Sequence, residues 1–169
     1  MTAPRVVGLD LSITATGIAL TNGHTETVRG KADLGDLRLD HIAIETRLAT
    51  DDVHLVVIED LAVHGPGNGM AAAQVMGAVK VTLLARGTRY ALVPPATLKK
   101  YATGKGNATK ADMAVALYKR AGLELADDNQ VDAWFLRAAG LHHLGHPVID
   151  VPAAQAAALD RITWPEVTA

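Results

Sequence analysis

In the stretch Val6-Val7-Gly8-Leu9-Asp10-Leu11-Ser12-Ile13-Thr14-Ala15-Thr16-Gly17, a short apolar run ends abruptly on a carboxylate. The small polar residues after Asp10 make a turn, not a continuation of core. Apolar character resumes over Gly17–Thr21 and His24–Val28, with Asn22-Gly23 between them. Asn-Gly flanked by such runs predicts a β-hairpin, so three strands lie within the first 28 residues. Asp10 then sits where the first strand leaves the sheet.

Leu34, Leu37, Ile44 and Leu48 recur at helical spacing with His41 beside them, which predicts an amphipathic helix from Asp36 to about Thr50 with that face turned inward. Leu55–Ile58 reads as a buried strand that ends on a second carboxylate, Glu59. Past the Gly65-Pro66-Gly67-Asn68-Gly69 turn, an Ala- and Met-rich segment to Arg86 predicts a helix, and Tyr90–Val93 a strand stopped by Pro94-Pro95. Helices are expected at Thr109–Ala121, capped by Thr109, and at Asp128–Leu144, terminated by Gly145 and Pro147. This order predicts an α/β fold, a mixed sheet of about five strands with helices on its faces. Residues 1–147 form one expected domain. Residues 148–169 are a tail without a domain of its own, whose segment Ala153–Leu159 docks as a short helix or stays mobile.

Nearly half of the 169 residues are apolar, enough for a core without covalent staples. Cysteine is absent, so disulfides and thiolate metal sites are excluded and any metal must take oxygen or imidazole ligands. No run of 18 uncharged apolar residues occurs, and no membrane association is expected; a reducing cytoplasm is the compatible compartment. The net charge of −2 conceals a segregated distribution. From Pro94 to Arg120, Lys99, Lys100, Lys105, Lys110, Lys119 and Arg120 face the single acid Asp112, which marks a candidate phosphate-contacting surface. Acidic residues dominate after Ala121.

Two strands each delivering one carboxylate to the sheet's edge is the pattern that carries chemistry. If those strands are neighbours, Asp10 and Glu59 converge, and paired carboxylates resist ionising unless a cation offsets them. Either acid alone reads as ordinary strand-end solvation. A third element is Asp127-Asp128-Asn129-Gln130-Val131-Asp132, opening an otherwise apolar helix. N-capping accounts for Asp127 or Asp128, but not for Asp132, one turn inside the helix. Asp128 shares a face with Asp132 at i, i+4, and Asn129 at i, i+3 is also within reach of it.

Taken in order, G-L-D-L-S ending at Ser12 with Thr16-Gly17 following, V-I-E-D ending at Asp60, L-K-K-Y-A-T-G-K-G-N-A-T-K from Leu98 to Lys110, and D-N-Q-V-D-A from Asp128 resemble the RuvC Holliday junction resolvases, nucleases of the ribonuclease-H-like superfamily. The resemblance spans roughly residues 5 to 145. It implies a structure-specific DNA endonuclease that resolves four-way junctions by two-metal-ion phosphodiester hydrolysis, with Mg²⁺ (or Mn²⁺) held by Asp10, Glu59, Asp132 and a fourth ligand. The family commonly has an acid at the position of Asn129; Asp128, one residue earlier, is favoured here because it brings a full charge. Lys110 is then a catalytic lysine, and Lys99, Lys100, Lys105 and Lys110 are DNA contacts. A homodimer is implied, joined through the helix Gly69–Arg86, whose Met70, Ala73, Gln74, Gly77, Lys80 and Val81 form a face of small and flexible side chains while Val75, Val79 and Leu83 serve the core. The aromatic wedge that cellular resolvases carry after the glutamate has no counterpart in Asp60-Leu61-Ala62-Val63.

Three other readings compete. A ribonuclease-H-like nuclease of flaps, forks or RNA–DNA hybrids keeps the fold and changes the substrate. An actin-like or sugar-kinase ATPase shares D-L-S-x-T-x-T-G, but it needs a second domain for which the chain has no room. A DNA-binding module without catalysis leaves the convergent acids unexplained. His142 and His146 have a zinc-ligand spacing, yet Gly145 and Pro147 break the helix that would align them, so they read as a helix end. The Gly65–Gly69 loop lacks the phosphate-loop pattern and reads as a flexible connection.

Overall fold

The computed structural model describes residues 3–61 and 69–167. Five strands, β1 (Val6–Asp10), β2 (Ala15–Ala19), β3 (Thr25–Arg29), β4 (Leu55–Glu59) and β5 (Tyr90–Val93), form one sheet in the order β3-β2-β1-β4-β5. The first three are antiparallel, and β1, β4 and β5 run parallel. Helices α1 (Leu37–Ala49) and α2 (Gly69–Ala85) provide the two parallel crossovers. They are followed by α3 (Pro95–Thr103), α4 (Lys110–Ala121), α5 (Asp128–His143) and a short α6 (Ala153–Ala156). The expected mixed α/β sheet of five strands is the one observed.

Strand alternation divides the interior into two cores. Val7, Leu9, Ile18, Val56 and Ile58 point to one face and meet Ile42 of α1 and Val75, Val79 and Leu83 of α2. Val6, Leu55, Val57, Ala91 and Val93 point to the other and meet Tyr101 of α3, Leu117 of α4 and Phe135, Leu136 and Ala139 of α5. Asp10 has the parity of Val6, and Glu59 that of Leu55 and Val57, so both strands turn their terminal carboxylates toward the α5 face.

Helix α5 lies directly on β1 and β2, and two glycines allow it. A Cβ on Gly8 would stand 2.0 Å from the Ala133 carbonyl oxygen, and one on Gly17 would stand 2.1 Å from that of Asn129. Backbone thus touches backbone at two points along the helix. Its N-terminus is tied to β3 as well: the N-cap Asp127 accepts from Thr27 Oγ1 at 2.8 Å, and Gln130 Nε2 donates to the same hydroxyl at 2.9 Å.

The β2–β3 connection confirms the hairpin and refines its turn. Gly23 N–H donates to Leu20 O, Leu20 N–H to His24 O, and Gly23 has φ 89°, so the Asn-Gly pair closes a longer loop with a left-handed glycine instead of a two-residue turn.

One expectation needs correction, and one helix has no counterpart in the sequence reading. Helix α1 has the predicted extent but the opposite orientation: Ile42 and Thr46 are buried, whereas Leu37 is 65% and Leu48 60% exposed, with Ile44 also outside. Burying Thr46 costs little because its hydroxyl donates to Ile42 O at 2.7 Å within the helix. Strand β5 does stop before Pro94-Pro95 as expected, and α3, which follows at once, is the helix the sequence reading missed. Pro95 occupies the first turn of α3, where its missing N–H is harmless, and Gly104 ends the helix with φ 88°. The signal was the spacing of Leu98, Tyr101 and Ala102, all buried.

The tail is docked. Arg120 donates to Ala102 O (3.0 Å), Asp150 O (2.6 Å) and Gln155 Oε1 (2.8 Å), and Ile149, Leu159 and Ile162 join the α5-side core. His143 stacks on Trp164 at 4.2 Å between ring centroids, and Tyr101 Oη lies 3.4 Å from His142 Nδ1, so both histidines serve packing at a helix end.

Candidate active site

At the carboxyl end of the parallel strands, the register pairs Leu9 with Ile58. Extending it by one residue sets Asp10 beside Glu59. Across the sheet Asp10 pairs with Gly17, the residue on which Asn129 of α5 rests, while Gly8 supports Ala133. Asp132 lies between those two supports, so the helix lowers it onto the strand that carries Asp10. The turn after Asp10 is held by its own hydroxyls: Thr16 Oγ1 donates to Ser12 O at 2.7 Å and accepts from Ser12 N–H at 3.1 Å.

The electrostatics record the convergence. Burial pushes the Asp10 carboxyl up to about 7, with the charges of Asp132, Asp128 and Asp127 adding to the rise and Lys110 opposing it. Burial likewise raises Glu59 to about 8, reinforced by Asp10 and Asp132 and opposed by Lys99. Asp132 is raised to about 6, again chiefly by burial, with Asp128 adding to it and Lys99 and Lys110 lowering it. Three acids that impede one another's ionisation share one mouth, and two lysines of the basic segment moderate them.

Helix α3, absent from the sequence reading, puts Lys99 where its charge reaches Glu59 and Asp132. Lys110 starts α4, fixed by the capping box between Thr109 and Asp112, and its ammonium forms an ion pair with Asp128. Hydrogen bonding and the charge of Asp128 hold that ammonium above its ordinary range. Lys100 and Lys105 are exposed, Lys105 on the loop before α4. Asn129 and Asp128 part company: the Asn129 amide donates to Asp127 Oδ1 at 2.8 Å as part of the N-cap, whereas Asp128 faces Lys110 and bears electrostatically on Asp10 and Asp132. Thr27 and Gln130, which anchor the start of α5, carried no sequence signal because their partners are about a hundred residues away.

Among the described residues, no three carboxylate or imidazole groups are already drawn into a chelating cluster. The donor set nonetheless suits a hard divalent cation: carboxylate oxygens only, partly buried, with ionisation suppressed first by burial and then by neighbouring acids. The Gly65–Gly69 loop up to Asn68, and Ala62-Val63 where a wedge would begin, lie outside the described residues.

No protein-family model matches the sequence, and no curated protein matches it. The three-dimensional structure does resemble solved ones. Thermus thermophilus RuvC superposes with a TM-score of 0.67 at 20% identity, covering 88% of this chain and 99% of that one. The same organism's RuvC in complex with a Holliday junction substrate gives 0.69 with the same identity and coverage. The fold is RuvC-like. On the RuvC-like sheet, Asp10 and Glu59 occupy the exits of two adjacent central strands, and Asp132 the helix that crosses them. No helix among the described residues is long and apolar enough to cross a membrane.

Proposed function

We propose that this chain is a structure-specific DNA endonuclease that resolves four-way junctions and related branched DNA by metal-assisted phosphodiester hydrolysis. The observation that carries the reading is the meeting of Asp10, Glu59 and Asp132, flanked by Lys99 and Lys110, at one mouth of a RuvC-like sheet. Asp10, Glu59 and Asp132, with Asp128 as the fourth carboxylate, would hold two Mg²⁺ or Mn²⁺ ions; Asn129, whose amide nitrogen donates to Asp127, offers only an uncharged oxygen. Such ions, when bound, supply a water acidic enough to attack phosphorus and a counter-charge for the leaving 3′-oxygen.

The chain's own residues do the rest. Lys110, exposed at the start of α4, meets the phosphate charge of the scissile strand. Lys99 steadies the same backbone from α3, while Lys100 and Lys105 extend the positive surface toward the arms. Burial of the three acids keeps bulk water from diluting the field at the mouth.

Paired incisions require two sites, and the reading includes a homodimer joined through α2. Met70, Ala73, Gln74, Gly77, Val81 and Leu84 face outward, and a Cβ on Gly77 would meet nothing within 4 Å. Leu37, Ile44 and Leu48 of the neighbouring α1 are exposed as well.

The test is a substrate panel: a four-way junction, a flap, a fork, an RNA–DNA hybrid and a linear duplex, each with Mg²⁺ or EDTA. Metal-dependent cutting confined to branched DNA is the expected result. Equal cutting of all substrates, or none with any divalent ion, refutes it.

A further inference from the structure

The pairing of Lys110 with Asp128 bears on the order in which the site is loaded. Both residues stand at the first position of their helices, and both backbones are fixed: Lys110 follows the Thr109–Asp112 capping box, and Asp128 follows an N-cap bound to Thr27 and Asn129. The side chains are not fixed. Lys110 is 78% and Asp128 41% exposed, so the pair can open by rotation about side-chain bonds with no movement of either helix.

Of the two neighbouring candidates for a fourth ligand, only Asp128 carries charge, since Asn129 brings an amide whose nitrogen donates to Asp127. The carboxylate that neutralises Lys110 is therefore the same one a divalent ion would recruit as its fourth acidic ligand. One carboxylate cannot serve a lysine and a metal ion equally well, because each neutralises the charge that attracts the other.

We propose that the Lys110–Asp128 ion pair is an exchange latch, in which lysine and divalent cation compete for Asp128 and cation entry releases the Lys110 ammonium toward the incoming phosphate. The latch rests on the nuclease reading of this site. It couples loading to substrate engagement: without the ion, Lys110 closes on the acids and moderates their repulsion; with it, the same ammonium is free at the mouth where a DNA strand arrives. Each of the two charges is thus used twice.

The experiment reads cation affinity, not cleavage. Mn²⁺ alone is titrated into the full-length protein by calorimetry, without DNA, for the parent, Lys110→Met, Asp128→Asn and the double variant. Lys110→Met keeps the aliphatic stem and removes the competitor. An exposed pair opposing a divalent ion should make its removal tighten Mn²⁺ binding by about three- to tenfold. Asp128→Asn should weaken binding, and in that background Lys110→Met should change affinity by less than about twofold, since the shared carboxylate is gone. Unchanged or weaker binding by Lys110→Met overturns the latch. So does equal tightening in both backgrounds, which would make Lys110 a distant repelling charge. A parent that binds no Mn²⁺ removes the metal-dependent nuclease reading as well, whereas normal parental binding with an unaltered Lys110→Met variant removes the latch alone.

Discussion

Asp10→Asn replaces a partly buried carboxylate by an amide of the same shape, and the structure predicts that it stabilises the metal-free protein while destroying its activity. The Asp10 carboxyl is raised from its ordinary 3.8 to about 7, first by burial and then by Asp132 and Asp128. The folded state therefore binds this proton more tightly than the unfolded state, and stability is lost as pH rises from near 4 through about 7. About three pH units at about 1.36 kcal/mol each set a ceiling of about 4 kcal/mol for the cost of the charged form above pH 7. Solvent penetration and local relaxation reduce this, so roughly 2 kcal/mol is the expected gain from the amide at pH 8. In a domain of this size that raises Tm by roughly 4–8 °C. At pH 4.5 nearly all parent molecules carry the proton in the folded state and only a minority do in the unfolded state, so the gain falls to about a quarter of its value at pH 8. Thermal unfolding in EDTA at the two pH values measures the difference, and millimolar Mg²⁺ should narrow it at pH 8 by stabilising the parent selectively. An Asp10→Asn protein that melts no higher than the parent at pH 8, or that gains as much at pH 4.5, would show that burial and neighbouring acids do not destabilise the charged carboxylate.

Glu59→Gln and Asp132→Asn should each slow junction cleavage by about a thousandfold, equivalent to roughly 4 kcal/mol of barrier, with junction binding in gel shift near parental. Lys99→Ala and Lys110→Ala should each weaken junction binding and lower the logarithmic salt slope by roughly 0.9 for every phosphate that is no longer neutralised, which binding at several salt concentrations measures. Gly77→Arg should leave the fold intact, because a side chain there points into open space. It should sediment as a monomer and convert coordinated paired cuts of a cruciform into single nicks; a parent that is itself monomeric with and without junction DNA would remove the dimer.

Those parts of the protein that depend on short-range pattern were legible in the chain itself. Val6–Asp10 and Leu55–Glu59 announce buried strands that end on carboxylates, Asn22-Gly23 announces the hairpin, and Thr109 announces α4, because each signal is written within a few residues. The same locality singled out Asp10, Glu59 and Asp132 one by one, while only the family resemblance grouped them. Tertiary structure alone decided the remainder. Helix α1 has apolar residues on two sides, and which side is buried depends on packing against α2 and the sheet, so Leu37 and Leu48 face out and Ile42 in. Pro94-Pro95 stops a strand and starts a helix with equal ease, and it is the packing of Leu98 and Tyr101 into the core that settles the choice and brings Lys99 to the acids. Asp128 and Asn129 are adjacent in sequence and nearly equivalent in helical spacing. What separates them is that Asp127 caps α5 and takes the Asn129 amide, while Lys110, folded in from another helix, takes Asp128. Charges and hydrogen-bonding groups are properties of residues, but their partners are fixed only when the chain closes on itself.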